Sequence, residues 1–414
     1  MRIVVAPDKF KGSLAATEVA AAVAAGLRAE LPGADLVTVP VADGGDGTVD
    51  AAVAAGFERV PVTAAGPAGP ADPGGGPGWT SYARRGDVAV VELACVCGLS
   101  RLRDGRTGPL TASSFGAGEV LRAALDAGAR RIVLAVGGSA STDGGAGLLQ
   151  ALGARVLDGR GQPVQPGGAA LRDVASLDLA GLHPALRSAA ITVAADVDNP
   201  LTGPAGAAEV YGPQKGATPA EVAVLAAGLR RWATVVAATT GIDRSRAPGS
   251  GAAGGVGFAG LAVLGARRRP GIDLVLDLVG FDAVLGPPAD PCGPGGPRGP
   301  GPADGRTALV ITGEGSLDRQ SLAGKAPLGV ARAAVRRGIP VVAVAGRAAL
   351  TAGELAAAGI TAVYPLTDLE PDPAACMAGA ARLLRRAGRM IARERVHHER
   401  IRRPGRPVPE EVRT

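Results

Sequence analysis

Residues 314–325 bring together two carboxylates, two hydroxyls and a lysine, which are groups that can bind phosphate and its metal ion. Glu314 and Asp318 offer the oxygen ligands that Mg²⁺ prefers. Ser321 and Lys325 could contact phosphate oxygens, the lysine as a compact positive charge. The composition of this stretch therefore predicts a phosphate and metal site.

A strand and a helix are predicted to position these groups. The apolar run 308–311 is typical of a buried parallel strand, and the pattern over 328–335 indicates a helix. Between them, we expect Gly313 and Gly315 to turn the backbone sharply, because glycine lacks the Cβ that restricts other residues. In α/β proteins, phosphate commonly binds where a parallel strand ends and a helix begins.

Lysine is rare in this chain, which makes each lysine informative. The sequence has 44 Lys and Arg residues, of which four are lysines: Lys9, Lys11, Lys215 and Lys325. Asn199 is its only asparagine. An ammonium and a guanidinium differ in size and geometry, so a retained lysine indicates a site that needs the smaller group.

Three further loops place acids, hydroxyls and glycines after predicted strands. The loop after the strand 2–6 contains Asp8, Lys11 and Ser13. The loop after the strand 36–41 contains Asp43, Gly44, Gly45, Gly47 and Thr48. The strand 130–136 precedes a run predicted to form a phosphate-binding nest at a helix N-terminus, with Gly138, Ser139, Ser141, Thr142 and Asp143. A plain turn with a capping hydroxyl is the alternative for the first two loops.

A fourth loop follows the predicted strand 191–195 and contains Asp196, Asp198 and Asn199. The two aspartates would face the same side if the strand continued. An Asp-Asn-Pro turn would by itself explain the asparagine. Lys215 comes shortly afterwards in a Gly-Pro-Gln-Lys-Gly stretch.

Length and charge limit the function classes. With 414 residues the chain is long enough for two domains. The net charge of +6 comes from eleven Arg and four Glu after residue 381, which leaves about −1 on the rest. This argues against a nucleic-acid-binding surface, and no apolar run predicts a membrane span. Four cysteines give no disulfide framework, so we expect a cytoplasmic protein that binds a small molecule, with homo-oligomerisation left open.

The strand and helix patterns predict a doubly wound, Rossmann- or flavodoxin-like α/β domain formed by both chain ends, 1–65 and 305–385. A second α/β domain, 66–304, would be nested in the middle, with the site in the cleft between the domains. Residues 286–305 read as a low-complexity loop, and residues 386–414 as a dispensable basic tail.

An ordered set of motifs resembles the bacterial glycerate kinase family over roughly residues 1–385. The motifs are Ala6–Ser13, Ala42–Thr48, Gly137–Gly145, Ala195–Leu201, Gln214–Gly216, Gly271–Asp273, Gly313–Ser321 and Gly324–Pro327. Each motif is weak alone, whereas the ordered set is specific. The sequence departs from the family at Arg106–Leu110 and Val96–Gly98, which would border the substrate pocket.

The resemblance implies phosphorylation of D-glycerate by ATP with Mg²⁺, to 2-phosphoglycerate in preference to 3-phosphoglycerate. The ion would be held by some of Asp43, Asp196, Glu314 and Asp318. Lys11 and Lys325 would neutralise the ATP phosphates or the glycerate carboxylate, and Asp196, ahead of Asp43, would accept the hydroxyl proton. The further substrate- and nucleotide-binding candidates are Asp8, Ser13, Gly44, Gly45, Gly47, Thr48, Gly138, Ser139, Ser141, Thr142, Asp143, Asn199, Lys215 and Ser321.

Two alternatives remain open from the sequence. The chain could phosphorylate another small hydroxy acid, or it could be a non-enzymatic regulator that keeps the same fold. The acids and lysines of the motifs are intact, and a regulator would not need both. They favour an enzyme.

Overall fold

The computed structural model describes residues 1–69, 78–102, 108–287 and 307–402, without the side chains of 323 and 395–402. Its strands are β1 (Arg2–Pro7), β2 (Asp35–Thr38), β3 (Glu58–Ala64), β4 (Gly78–Arg85), β5 (Val88–Glu92), β6 (Arg131–Ala135), β7 (Arg155–Asp158), β8 (Val174–Asp178), β9 (Ala190–Ala194), β10 (Arg267–Arg269), β11 (Thr307–Leu317), β12 (Val341–Ala348) and β13 (Ile360–Pro365). Its helices are α1 (Ala16–Glu30), α2 (Thr48–Ala54), α3 (Ala94–Cys97), α4 (Phe115–Asp126), α5 (Ala146–Ala151), α6 (Ala207–Tyr211), α7 (Pro219–Thr240), α8 (Val256–Ala262), α9 (Gly271–Leu278), α10 (Phe281–Leu285), α11 (Ala326–Val335), α12 (Ala352–Ala357), α13 (Pro373–Ala378) and α14 (Ala380–Arg402).

The chain forms two compact units. Unit 1 comprises Met1–Pro40, Phe281–Leu322 and Ala326–Thr414, and unit 2 comprises Val41–Gly280 and Ala323–Lys325. Residues 41–65, assigned from sequence to the domain of the chain ends, lie in unit 2 because β3 pairs with β4 there. From residue 288 onward, the predicted low-complexity loop lies outside the described residues.

Unit 1 contains a parallel sheet of five strands in the order β13-β12-β11-β1-β2. Renumbered within the unit, this is the 2-1-3-4-5 order of flavodoxin-like folds. The prediction of an α/β fold is therefore confirmed, and the strand order selects its flavodoxin-like form. The order reverses between β1 and β11, and the crevice at their carboxyl ends is where such sheets bind ligands.

The predicted turn at Gly313 and Gly315 is wrong, because β11 continues through both residues. A Cβ atom on Gly313 would lie 2.2 Å from the Val344 carbonyl oxygen, and one on Gly346 would lie 2.4 Å from the Gly315 carbonyl oxygen. Glycine is needed here for the close approach of β11 and β12, a second use of the residue besides turning. The predicted helix is confirmed, since α11 begins at Ala326.

Unit 2 contains a six-stranded sheet in the order β10-β9-β6-β5-β4-β3. Strands β5, β6, β9 and β10 are parallel, whereas β3 and β4 pair antiparallel at one side. The carboxyl ends of the parallel strands therefore meet at one edge. The loops after β5, β6, β9 and β10 emerge there.

Helix α7 is long and apolar enough, by length and composition, to cross a membrane. Its Leu225, Leu229 and Trp232 are instead fully buried in the core of unit 2. Trp232 donates its indole N–H to the Gly144 carbonyl oxygen at 3.0 Å. The helix thus packs as a core element and fixes one of the loops described below.

Helix α14 packs against α1 in the core of unit 1, which changes the interpretation of the C-terminal segment. Ala387, Ile391 and Ala392 are fully buried. A Cβ atom on Gly26 would lie 2.1 Å from the Arg385 carbonyl oxygen, so the two backbones are in contact. Residues 386–392 are therefore part of the unit 1 core and not of a dispensable tail.

Two truncations test this boundary. Deleting 386–414 removes one buried isoleucine and two buried alanines, and should lower the free energy of unfolding by at least about 3 kcal/mol. Deleting only 403–414, which starts beyond α14, should shift Tm by less than about 2 °C. Urea and thermal unfolding provide the measurement, and equal stability of the two truncations would contradict the packing of α14.

Candidate active site

A pocket of about 210 Å³ opens at the carboxyl edge of the unit 2 sheet. Its walls come from residues 43–45, 136–139, 194–197 and 252–254, together with Leu99, Tyr211, Gln214 and Lys215. A single water molecule needs only about 15 Å³ of such a cavity, so a ligand of several heavy atoms fits. Three of the loops singled out from the sequence, and the stretch that contains Lys215, therefore contribute to one cavity.

Glycines allow these loops to approach each other. A Cβ atom on Gly44 would lie 2.6 Å from Gly271 Cα, and one on Gly137 would lie 2.6 Å from Gly45 Cα. Gly44 also has a φ of +83°, which side chains with a Cβ rarely adopt. Any larger residue at these positions would push the walls of the pocket apart.

Asp196 lies two residues after the end of β9 and lines the pocket. Its Oδ1 accepts a hydrogen bond of 2.7 Å from the Gly271 N–H, the first residue of α9. Burial raises the pKa of Asp196 to about 7, the repulsion from Asp43 adds to this, and the Gly271 N–H opposes it. A carboxyl group that titrates near neutral pH is suited to accept a proton from a substrate.

Asp43 belongs to a loop that is held in place from inside the protein. The Asp43 Oδ1 accepts from the Gly45 N–H at 3.2 Å, and Thr48 donates its hydroxyl to the Gly45 carbonyl oxygen at 2.6 Å. Thr48 is fully buried, so its hydroxyl shapes the loop. A structural hydroxyl in a plain turn was the alternative that the sequence left open for Thr48.

Glu92, at the end of β5, was missed by the sequence analysis. Its two carboxylate oxygens accept from the Gly47 N–H at 3.1 Å and the Val49 N–H at 2.9 Å. It thereby caps the start of α2, and burial raises its pKa. An acid that ends the apolar strand Val88–Glu92 was the signal that could have revealed it.

Asp143 organises the loop 137–147, which corrects the predicted phosphate nest. The carboxylate accepts from the N–H groups of Ser114 (2.8 Å), Gly145 (3.1 Å) and Gly147 (3.3 Å), and from the Ser114 hydroxyl (2.9 Å). Burial raises the pKa of Asp143, and these hydrogen bonds oppose the shift. The nest amides at Gly145 and Gly147 therefore bind this internal carboxylate.

Ser139 lines the pocket, whereas Ser141 and Thr142 are not among its lining residues. Ser141 and Thr142 are fully buried, and no hydrogen-bond partner for either hydroxyl lies among the described residues. Ser139 lines the pocket, where its hydroxyl accepts from Lys215. Gly138 also lines the pocket and has a φ of +76°, so the backbone turns next to the cavity.

Lys215 is buried, with 3% of its surface exposed. Its Nζ donates to the Ser139 hydroxyl at 2.9 Å and to the Ser141 carbonyl oxygen at 2.5 Å. Burial lowers the pKa of Lys215 to about 7, and Asp143 opposes this shift. Lysine rarity thus identified a residue that lines the pocket.

Asn199 has a local structural use. Its amide nitrogen donates to the Ala205 carbonyl oxygen at 2.9 Å, and its Oδ1 accepts from the Tyr211 hydroxyl at 2.5 Å. Its backbone carbonyl also accepts from the Gly251 N–H at 2.8 Å. These bonds fix the loop after β9 to neighbouring segments, and the asparagine acts through that loop.

Other predicted residues lie near the carboxyl ends of β1 and β11 in unit 1. The Asp8 N–H donates to the Gly313 carbonyl oxygen at 2.8 Å, and Ser13 donates its hydroxyl to the Met377 carbonyl oxygen at 2.9 Å. Lys11 is exposed in the same loop, and Glu314 is buried on β11. Charged groups of both signs therefore lie near the carboxyl ends of these two strands.

Asp318 and Ser321 form a small hydrogen-bonded network at the end of β11. Asp318 Oδ2 accepts from the Ser316 hydroxyl at 3.1 Å, and the Ser321 hydroxyl accepts from the Asp318 N–H at 3.0 Å. Arg347 donates to the Ser316 hydroxyl at 2.9 Å. Lys325 is half-buried and directly precedes the first residue of α11.

The four predicted metal ligands are divided between the units. Asp43 and Asp196 belong to unit 2, and Glu314 and Asp318 to unit 1. Across the described ranges, no group of three or more His, Cys, Asp or Glu side chains is arranged to hold a metal ion. Asp43 and Asp196 line one pocket and lie close enough for their charges to interact.

Comparisons with known proteins cover nearly the whole chain. A sequence profile of the "Glycerate kinase family" matches residues 3–290 and 303–395. The "Glycerate kinase" of Bacillus subtilis (strain 168) is 40% identical over 395 residues, 95% of this chain and 97% of that protein. The "Glycerate 2-kinase" of Escherichia coli (strain K12) is 40% identical over 88% of this chain and 90% of that protein. A crystal structure of a candidate glycerate kinase 2 from Salmonella typhimurium LT2 has a TM-score of 0.78 at 38% identity, covering 97% of this chain and 99% of that one.

Replacing Asp196 by Asn should reveal its raised pKa through stability. Because the folded protein binds this proton more tightly than the unfolded chain, the wild type loses stability as pH rises from about 4 to about 7. Asn cannot ionise and still accepts from Gly271, so Tm of Asp196→Asn relative to wild type should increase over that range. Thermal unfolding at pH 4.5 and 8 measures it, with the exposed Asp173→Asn as the control. A constant difference in Tm would contradict the raised pKa.

Proposed function

Since this chain belongs to the glycerate kinase family, we propose that it transfers the γ-phosphoryl group of ATP to D-glycerate and forms 2-phosphoglycerate. The resemblance inferred from the motifs is confirmed by these matches, and so is the assignment as a kinase. The name of the Escherichia coli relative, Glycerate 2-kinase, supports the 2-phospho product. The observation on this chain that carries the proposal is the unit 2 pocket, where Asp196 has a raised pKa beside Asp43.

Asp196 is the general base of the proposed reaction. Its carboxylate accepts the proton of the C2 hydroxyl as that oxygen attacks the γ-phosphorus. A new oxygen–phosphorus bond forms while the bond to the β–γ bridging oxygen breaks, and ADP leaves with that electron pair. With a pKa of about 7, Asp196 is largely ionised just above neutral pH and is still basic enough to take the proton.

Asp43 is the first candidate ligand for Mg²⁺, with Asp196, Glu314 and Asp318 as further candidates. Two carboxylates in one pocket fit Mg²⁺, because this ion usually takes one or two carboxylates and completes its shell with phosphate and water. Bound Mg²⁺ would neutralise phosphate charge and orient the transferred group. Asp43 repels the negative charge of Asp196. Because a cation between two such carboxylates would relieve this repulsion, the pair favours cation binding.

The nucleotide is assigned to the crevice of unit 1, where the strand order reverses between β1 and β11. Lys11 follows β1, and Lys325 precedes α11. Their ammonium groups would neutralise charge on the phosphates of ATP. Because the proposed reaction consumes ATP, we propose that it takes place in the cytoplasm.

A single assay tests the activity. The purified protein with D-glycerate, ATP and Mg²⁺ should release ADP, and phosphorus NMR should locate the new phosphate on C2. An excess of chelator should abolish turnover. L-glycerate, glycolate and lactate should show at least about tenfold lower kcat/KM. Faster turnover of one of these acids would assign the kinase to that acid instead.

The roles of the two pocket carboxylates can be tested by Asp196→Asn and Asp43→Asn. Each should lower kcat by at least about a hundredfold in a folded protein, because a base or a metal ligand is lost. In the wild type, kcat/KM should fall as pH drops below about 7, where Asp196 becomes protonated. The exposed Asp173→Asn should stay within about twofold of wild type, and near-normal kcat in both pocket variants would exclude these acids.

Lys325→Arg keeps the charge but not the shape of the group. If the ammonium contacts phosphate, the wider guanidinium should misplace the contact and lower kcat/KM by at least about tenfold, with unchanged Tm. Steady-state kinetics for ATP and D-glycerate provide the measurement. Arg336→Lys, which exchanges an exposed cation just after α11, is the charge-conserving control outside the assigned site. Wild-type kinetics in Lys325→Arg would remove Lys325 from the site.

A further inference from the structure

The pocket of unit 2 contains one cation among its lining residues. Of the side chains that line it in the described part of the chain, Asp43 and Asp196 are acidic and Lys215 is basic. A small hydroxy acid presents a carboxylate and one or two hydroxyls. Asp43 and Asp196 suit a hydroxyl that will lose its proton. The positive charge of Lys215 suits the carboxylate.

The contacts of Lys215 leave capacity for a ligand. An ammonium has three donors, and Lys215 uses two of them on the Ser139 hydroxyl and the Ser141 carbonyl oxygen. Both hydrogen-bond partners are neutral, and Asp143 acts on Lys215 through its charge. A buried cation whose hydrogen bonds all go to neutral groups is costly, and such groups are normally paired directly with an anion.

Ser139 extends the same binding surface. Its hydroxyl accepts from Lys215, so its own hydrogen can be donated to an acceptor in the pocket. The third ammonium donor and the Ser139 hydroxyl together match the two oxygens of one carboxylate. Lys215 itself is held by a turn that closes at Gly216, whose φ of +88° requires glycine.

We propose that Lys215, with Ser139, is the receptor for the substrate carboxylate and thereby determines which hydroxyl faces Asp196. This inference rests on the proposed function, since it names the anion that the pocket takes. In D-glycerate the C2 hydroxyl lies one bond closer to the carboxylate than the C3 hydroxyl. Anchoring the carboxylate therefore selects the position of phosphorylation and excludes uncharged polyols.

Steady-state kinetics of Lys215→Met provide the first test. Loss of a charge-assisted hydrogen bond should raise KM for D-glycerate by about 10- to 100-fold, with KM for ATP within about twofold of wild type. Arg230→Met, which removes an exposed cation of the same unit, is the matched control and should behave as wild type. The ratio of kcat/KM for D-glycerate over glycerol should fall in Lys215→Met only.

The other kinetic outcomes overturn the inference. A rise in KM for ATP alone would assign Lys215 to the nucleotide phosphates. A fall in kcat with unchanged KM for D-glycerate would assign it to proton transfer. If the wild type does not turn over D-glycerate, the proposed function fails, and the binding measurement below still decides the role of Lys215.

Calorimetry tests carboxylate binding without turnover. At pH 8 Lys215, with a pKa of about 7, is mostly neutral, and a bound carboxylate should draw about one proton onto it. The acids whose charges act on this pocket or on Lys215 are Asp43, Asp143 and Asp196, and the last also titrates near 7. D-glycerate titrated in two buffers of different ionisation enthalpy should therefore show proton uptake that persists in Asp196→Asn and disappears in Lys215→Met. No binding, or uptake that disappears only in Asp196→Asn, would overturn the assignment.

Discussion

The arrangement of the unit 2 pocket depends on carboxylates that accept hydrogen bonds from backbone amides at the ends of loops. Glu92 accepts from the N–H groups of Gly47 and Val49, and Asp196 accepts from that of Gly271. Each acid lies at the carboxyl end of a strand of the same sheet, and each fixes the start of a helix. Amide donors at helix N-termini stabilise negative charge, so the sheet edge can hold several acids close together.

Burial raises the pKa of both Asp143 and Asp196, but only Asp196 is among the residues that line the pocket. Asp143 is fully buried, and both of its oxygens accept hydrogen bonds from donors inside the protein. Asp196 has one amide on Oδ1, lines the cavity and is repelled by Asp43. A proton from a bound ligand can therefore reach Asp196, whereas the oxygens of Asp143 are occupied by donors inside the protein. The two acids look alike in the sequence, and only their surroundings assign their roles.

The sequence predicted the α/β class, the strands that precede the loops and the candidate acids Asp43 and Asp196, because strand patterns and loop composition are local. It failed where one residue type serves two purposes. Glycine at 313 and 315 permits close strand packing instead of a turn, and the amides of Gly145 and Gly147 bind Asp143 instead of phosphate. Glu92 was missed because its partners are more than 40 residues away along the chain. Contacts of that kind cannot be inferred from spacing.

The rarity of lysine indicated which positions to consider, but it did not indicate the role of each lysine. Lys11 is exposed in the loop after β1, whereas Lys215 is buried against Ser139 and Ser141. An arginine at 215 would bring five N–H donors into a space that offers two internal acceptors to the ammonium. The additional N–H donors would be buried without acceptors, which would destabilise the protein. This geometric limit explains why a chain that prefers arginine elsewhere keeps lysine here, and it links a compositional bias to the shape of one pocket.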